Sequence, residues 1–169
     1  MCQPQRLSAN KGKDMAELTV GQTAPQFSLP RDGGGTVSLA DFAGKAVVVY
    51  FYPQDDTKSC TAEAIDFSAL LPHFEETGAA VVGISPDVAT RHDRFKARHN
   101  LKLILASDDP RAVIEAYGAW GEKTLYGRKY MGVIRSTFLI DRYGRIARIW
   151  RNVRVKNHAQ EVLEAARAF

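Results

Sequence analysis

The chain has 169 residues, of which 45% are hydrophobic and 25% are charged. This balance is typical of a globular protein that buries a core, and it excludes an intrinsically disordered chain. The net charge of +4 comes mostly from the second half, but no motif of interleaved aromatic and basic residues accompanies it, so nucleic-acid binding is not predicted.

Residues 1–15 are polar and are predicted to form a flexible tail ahead of a single domain at residues 16–169. Met15 is an alternative natural start.

Period-2 alternation predicts short strands at residues 27–29 and 36–39, which are joined by a glycine-rich hairpin loop. The glycines of this loop lack the spacing of a phosphate-binding loop.

Residues 46–52 are apolar on both faces, which is typical of a buried central strand. Apolar spacing then predicts an amphipathic helix over residues 60–77, in which Pro72 is expected to cause a kink or a break near Leu71. Residues 79–85 have the composition of a second buried strand. No apolar stretch has the length of a transmembrane helix, so no membrane partner is expected.

The remaining predicted elements alternate between helix and strand and close with an antiparallel pair and a helix. They are a helix at residues 87–99, a strand at 101–106, a helix at 110–117, strands at 136–140 and 145–150, and a helix at 157–168. Residues 118–133 have no clear period and are predicted to be an irregular connection, a kind of segment that often carries function. Trp120, Tyr126 and Tyr130 on it are expected to pack in the core rather than to line a pocket or a partner surface. The order of elements predicts an α/β protein.

Cys60 follows a polar loop and lies where the long helix is predicted to begin. Unpaired backbone N–H groups and the positive end of the helix dipole favour a thiolate at such a position. A lone cysteine is more often a core residue, but this loop setting favours a functional thiol. Asp55 and Asp56 would oppose the thiolate if they pointed inward, so we expect both to face solvent. With Cys2 as the only other cysteine, no disulfide framework is predicted, and a reducing, cytoplasmic compartment is expected.

Two separate segments carry a recognisable pattern. YFYPQDDTKSCTAEA contains Pro53, Thr57 and Cys60 spaced as Pro-x-x-x-Thr-x-x-Cys, and GVIRSTFLIDRYGRI contains Arg135. In these segments the chain resembles the peroxiredoxins, in particular the bacterioferritin-comigratory or peroxiredoxin Q branch, and the similarity extends from about Leu18 to the C-terminus. The resemblance implies a thioredoxin-like α/β fold, with a central mixed β-sheet flanked by helices and an N-terminal β-hairpin. It also implies a thiol-dependent peroxidase that reduces hydrogen peroxide and organic hydroperoxides to water and alcohols.

The resemblance gives each of these residues an expected role. Cys60 would attack the peroxide as a thiolate and become a sulfenic acid. Thr57 would hydrogen-bond the thiolate and the peroxide, and Arg135 would stabilise the thiolate and the leaving oxygen. From the residues alone, Thr57 would cap the helix or form an ST-turn, which does not exclude the first role, and a surface ion pair would be the favoured role of Arg135. Pro53 would shield the sulfur from water, and Glu63 would either accept a backbone N–H or orient Arg135. No cofactor is implied, and the histidines lack metal-ligand spacing, so no metal is predicted.

The chain departs from many of these relatives at the second cysteine. A resolving cysteine commonly lies five residues after the first or in a later helix, and these positions hold Ile65 and, approximately, Ile114. The resemblance therefore implies a one-Cys variant that is recycled by thioredoxin, glutaredoxin or a low-molecular-weight thiol, with Cys2 as an alternative resolving thiol. A peroxide sensor that relays its oxidation to a partner protein is the competing function. A dithiol oxidoreductase is disfavoured because Glu63 stands at the second cysteine position of a CxxC motif, and monomer and homodimer both stay open.

Overall fold

The computed structural model describes residues 18–169. The predicted tail at residues 1–15, the alternative start at Met15 and the second cysteine, Cys2, lie outside the described residues. In chain order the strands are β1 (Ser28–Pro30), β2 (Thr36–Ser38), β3 (Ala46–Phe51), β4 (Ala79–Ser85), β5 (Ile104–Ser107), β6 (Trp120–Leu125), β7 (Arg128–Val133), β8 (Ser136–Ile140) and β9 (Ile146–Arg151). The α-helices are α1 (Lys58–Glu76), α2 (Ala89–His99), α3 (Ala112–Ala116) and α4 (His158–Ala166).

Five of the strands form one mixed sheet in the order β5-β4-β3-β8-β9. The pairs β3–β4 and β4–β5 are parallel, whereas β3–β8 and β8–β9 are antiparallel. Strands β1 and β2 pair separately as an antiparallel hairpin. The predicted α/β fold, with its mixed central sheet, flanking helices and N-terminal hairpin, is therefore confirmed.

Strand β3 lies at the centre of the sheet, and all six of its side chains are buried. Because successive side chains point to opposite faces, Val48 and Tyr50 pack with α1 and α4 on one side, whereas Val49 and Phe51 pack with α3 and β8 on the other. The apolar run was predicted to be buried on both faces, and this is confirmed. The carboxyl end of β3 leads directly into the loop before Cys60.

Several predicted boundaries were wrong by a few residues. Helix α1 begins at Lys58, with Thr57 at its N-cap position. Of the two alternatives predicted at Pro72, a kink or a break, the break is wrong, because the helix continues through Pro72. A proline removes one helical hydrogen bond, but Phe67 and Phe74, on either side of it, are both fully buried and hold the helix on the sheet. Helix α2 begins two residues later than predicted, β5 is shifted toward the C-terminus, and α3 is only five residues long.

The prediction of an irregular connection at residues 118–133 was wrong. The segment forms an antiparallel hairpin of β6 and β7 that is joined by a turn at Tyr126 and Gly127, both with positive φ. Within the described part of the chain these strands pair only with each other, and most of their side chains are exposed, so the sequence shows no apolar alternation. Tyr126 and Tyr130 are exposed rather than packed in the core, whereas Trp120 is partly buried against it.

No helix within residues 18–169 combines the length and the apolar character that are needed to span a bilayer.

Candidate active site

Cys60 is the third residue of α1 and is almost completely buried. The loop that follows β3 reaches Thr57 in an extended conformation, and the carbonyl of Thr57 accepts the N–H of Thr61 as the helix begins. Cys60 thus lies within the first turn, where the backbone N–H groups have no intrahelical acceptor and the helix dipole is positive. This position stabilises negative charge on the sulfur.

Arg135 reaches this sulfur from the short segment between β7 and β8. Its Nη2 donates to Cys60 Sγ over 3.3 Å, and its Nη1 donates to Glu63 Oε1 over 2.5 Å. The Arg135 carbonyl accepts the N–H of Val153, which fixes the backbone of the segment. The guanidinium is mostly buried and therefore bridges two groups of α1 that lie one helical turn apart.

Burial and the neighbouring charges together perturb the pKa values of Glu63 and Arg135. Burial raises the pKa of Glu63 to about 7, although the neighbouring Arg135 opposes the rise. Burial on its own would lower the pKa of Arg135, but Glu63 and Cys60 outweigh this effect and raise the pKa of the guanidinium. Arg135 is therefore a permanent cation in contact with the sulfur, and Glu63 Oε2 is left buried without a hydrogen-bond partner.

Thr57 and Pro53 lie in the same loop but do not touch the sulfur through a hydrogen bond. The Thr57 hydroxyl donates to the Gln54 carbonyl over 3.1 Å, and it makes no side-chain bond to the helix that it precedes. Pro53 is half-buried immediately after β3. The structure therefore places both near the start of α1 and joins only Cys60, Arg135 and Glu63 in direct contact.

Asp55 was expected to face solvent, and this was wrong. Its side chain is buried and accepts a hydrogen bond from Tyr52 Oη over 2.6 Å, while its other carboxylate oxygen lies 2.7 Å from His92 Nδ1. His92 Nε2 must carry a proton, because its partner 3.0 Å away is the Ala106 carbonyl. Asp55 and His92 Nδ1 are thus joined by a hydrogen bond inside the protein. Asp56 does lie at the surface, beside Arg98.

Sequence reasoning missed this network because His92 lies 37 residues after Asp55 and 40 after Tyr52, and no local pattern links them. It also missed Lys123, which lies on the hairpin that was predicted to be irregular. Lys123 and Arg135 line the same open cavity of about 410 Å³, and Lys123 Nζ donates to the Val133 carbonyl over 2.8 Å. Burial and Arg135 together lower the pKa of Lys123, whereas Cys60 raises it. Because it shares a cavity with Arg135, Lys123 is a second basic side chain close to the site.

A larger cavity, of about 630 Å³, is unrelated to this chemistry. It lies at the opposite end of β3 from Cys60 and is lined by residues such as Lys45, Gly78 and Asp141. Within residues 18–169, no three His, Cys, Asp or Glu side chains are grouped so that they could hold a metal ion.

The site thus consists of a buried thiol at a helix start, in contact with an arginine that is ion-paired with Glu63. The sequence that builds it matches a known family. The family model described as AhpC/TSA family matches residues 20–149, which is most of the chain. The chain belongs to the AhpC/TSA family. It is a peroxiredoxin, a thiol-dependent peroxidase that acts on peroxides with thiol reductants.

The relatives place this peroxiredoxin in the predicted branch. Peroxiredoxin Bcp of Bacillus subtilis is 46% identical over 87% of this chain and 94% of its own length, and the Escherichia coli protein of the same name is 39% identical over 88% and 96%. Among solved structures, a Xylella fastidiosa PrxQ mutant has a TM-score of 0.85 at 36% identity and covers 90% of this chain and 97% of its own. The Xanthomonas campestris bacterioferritin comigratory protein has a TM-score of 0.80 at 40% identity and covers 84% and 90%.

Proposed function

We propose that Cys60 is the nucleophile of this peroxiredoxin and that Arg135 is its electrostatic partner. The observation that carries the proposal is the contact between Arg135 Nη2 and Cys60 Sγ, made by a guanidinium that Glu63 also holds. A thiolate is the reactive form of cysteine, and both a helix start and an adjacent cation favour it over the thiol. The same guanidinium is placed to stabilise the negative charge that develops on a peroxide oxygen beside the sulfur.

The proposed reaction is a single displacement at oxygen. The Cys60 thiolate attacks the terminal oxygen of ROOH, an S–O bond forms and the O–O bond breaks. The RO⁻ group leaves with the bonding electrons and takes up a proton, which gives an alcohol, or water when R is hydrogen, and leaves Cys60 as a sulfenic acid. The sulfur is oxidised by two electrons and the peroxide is reduced by two.

Thr57 and Pro53 have supporting roles in this proposal. A hydroxyl has one donor and two acceptor positions, so Thr57 Oγ1 can accept the O–H of the peroxide while it keeps its own hydrogen bond to Gln54. The role proposed for Pro53, which is half-buried directly after β3, is to shield the sulfur from water. A structure of the X. campestris relative concerns its alkyl peroxide reduction activity, which supports alkyl hydroperoxides as substrates alongside hydrogen peroxide.

Recycling is proposed to need an external thiol, such as thioredoxin, glutaredoxin or a low-molecular-weight thiol. Cys60 is the one cysteine within residues 18–169, and the positions considered for a resolving cysteine hold Ile65, which is exposed, and Ile114, which is fully buried. A cytoplasmic location is proposed with it, because a free thiol with this chemistry depends on a reducing environment.

The proposal is tested by mixing the reduced protein with one equivalent of hydrogen peroxide and following the loss of free thiol. We expect Cys60 to react far faster than free cysteine, Cys60→Ser to abolish the reaction and Cys2→Ser to leave it unchanged. A Cys60 that reacts no faster than free cysteine would refute the proposal. Rapid oxidation that no thiol reductant can reverse would instead favour a peroxide sensor. Intact mass after oxidation identifies a sulfenic acid by the gain of one oxygen.

A further inference from the structure

The hairpin of β6 and β7 presents one face that is both apolar and cationic. Its register pairs Lys123 with Tyr130 and Leu125 with Arg128. Paired residues of an antiparallel ribbon project to the same face, and side chains alternate along each strand, so these four share one face. We call Lys123, Leu125, Arg128 and Tyr130 the ribbon face. The exposed side chain of Tyr126 extends it at the turn.

The ribbon face adjoins the proposed active site. Gly121 lies on the same face, two residues before Lys123, and a side chain there would begin 2.7 Å from Ile134 Cδ1. Ile134 directly precedes Arg135 in the sequence, and the two residues line the same cavity as Lys123. A molecule bound along the ribbon face would therefore lie beside the entrance to Arg135 and Cys60.

The composition of the ribbon face indicates what it would bind. Leu125, Tyr126 and Tyr130 are 54%, 95% and 45% exposed, which is unusual for apolar side chains so close together. The face carries two cations and no carboxylate, whereas on the opposite face Lys129 lies near Glu122, 3.7 Å away. Exposed aromatic and aliphatic groups among cations that have no carboxylate partner match a partner protein that has an apolar centre and an acidic rim.

We propose that the ribbon face docks the reducing partner, a small protein with an acidic surface and a reactive dithiol. The proposal rests on the proposed function, because it assumes that Cys60 becomes a sulfenic acid that an external thiol must reduce. Cys60 is the one thiol within residues 18–169, so the reductant has to bring its own sulfur to this side of the molecule. The ribbon face reaches the cavity of Arg135 through Lys123, and its exposed apolar side chains Leu125 and Tyr130 lie beside Lys123 on the same face.

A dithiol partner supplies both electrons that this reduction needs. The first partner thiolate attacks Cys60 Sγ, an S–S bond forms, and the hydroxyl leaves as water after it takes up a proton. The second partner thiolate then attacks the partner sulfur of this mixed disulfide, which releases the Cys60 thiolate and leaves the partner as an internal disulfide. Two electrons pass from the dithiol to Cys60.

The experiment compares a protein reductant with a small one. In the full chain, Leu125→Ser combined with Tyr130→Ser removes the apolar part of the ribbon face without touching Cys60, Arg135 or Glu63. With an acidic thioredoxin as reductant, we expect kcat/KM for the reductant to fall at least tenfold. With dithiothreitol the turnover should stay at the wild-type rate, as should the oxidation of Cys60 by one equivalent of peroxide. Thermal melting of each variant checks that the fold is retained.

Tyr143→Ser is the matched control, because Tyr143 is 78% exposed but lines the cavity at the opposite end of the sheet. It should leave reduction by thioredoxin unchanged. Equal kcat/KM values for the double variant and wild type would overturn the proposal, as would an equal loss with both reductants or a wild-type chain that only small thiols recycle. A dimer in gel filtration that the double variant abolishes would also overturn it, since a second copy would then occupy the face. Failure of the proposed function itself appears separately, in the peroxide oxidation step.

Discussion

At the scale of single residues, Arg135 holds the site together because its two terminal nitrogens have different partners. One donates to the Cys60 sulfur and the other to the Glu63 carboxylate. A planar guanidinium can make both bonds at once in a fixed geometry, whereas an ammonium is a single point of charge on a flexible stem. The position therefore requires arginine and not only a positive charge.

We predict that Arg135→Lys lowers the rate of Cys60 oxidation by hydrogen peroxide by about 100-fold, the usual cost of losing one donor to a developing negative charge. The lysine retains the charge but cannot contact both Glu63 and the sulfur. Stopped-flow measurement of thiol loss gives the rate. Arg148→Lys is the control, since Arg148 lies on β9 at the surface, and it should react at the wild-type rate. Equal rates for the two variants would show that charge alone is sufficient.

At the scale of elements, the loop between β3 and α1 is tied to α2 by the buried contact of Asp55 with His92. Tyr52 at the end of β3 donates to the same carboxylate, and the Asp55 N–H donates to Asp87 Oδ2 over 2.6 Å. These bonds fix the loop that delivers Thr57 and Cys60. The position of the thiol therefore depends on a helix that contributes no residue to the Cys60–Arg135–Glu63 triad.

We predict that His92→Leu lowers the free energy of unfolding by about 3 kcal/mol, because Asp55 then stays buried with its charge partner removed. Urea denaturation at pH 7 measures the loss. His99→Leu on the same helix is the matched control. His99 pairs with Asp56 near the surface, so its removal should cost less than about 1 kcal/mol. Losses of the same size in both variants would contradict a special role for the buried contact.

Elements with a strong local signal were predicted correctly. The fully apolar run that became β3 predicted a central strand, and the proline-to-cysteine spacing predicted a thiol at a helix start. The β6–β7 hairpin was missed because its exposed strands show no apolar alternation, although the turn ending in Gly127 was a usable signal. The Asp55–His92 contact was missed for another reason. It depends on tertiary packing, and no sequence neighbour of Asp55 indicates that it is buried.

At the scale of the whole molecule, the sheet and the packing of α1 against α4 bring oppositely perturbed titratable groups into one core. Burial raises the pKa of Glu63 on α1 to about 7. Burial also lowers the pKa of His158, the first residue of α4, to about 4, with Arg135 adding to the effect and Glu161 opposing it. The His158 ring packs edge-on against Phe67 of α1, 6.0 Å between centroids. Because both groups are buried only in the folded protein, their protonation equilibria are coupled to global unfolding.

The two groups make opposite contributions to the pH dependence of stability. The folded state holds the Glu63 proton more tightly than the unfolded state, whose carboxyl has an ordinary pKa of 4.5, so stability is lost as pH rises from about 4.5 to about 7. The unfolded state holds the His158 proton more tightly, with an ordinary pKa of 6.5, so stability is lost as pH falls from about 6.5 to about 4. Between about pH 4.5 and 6.5 the two contributions oppose each other.

We predict that single neutral substitutions make the contribution of each group to the pH dependence of the free energy of unfolding measurable. Relative to wild type, Glu63→Gln should become more stable as pH rises from 4.5 to 7, and His158→Gln less stable as pH rises from 4 to 6.5. Each change should approach about 3 kcal/mol, since one pKa unit corresponds to about 1.4 kcal/mol. Denaturant unfolding at half-unit pH steps measures the differences from wild type, in which all other titrations cancel. Parallel curves for wild type and Glu63→Gln would mean that Glu63 titrates equally in the folded and unfolded chains, and that the ion pair with Arg135 fully offsets its burial.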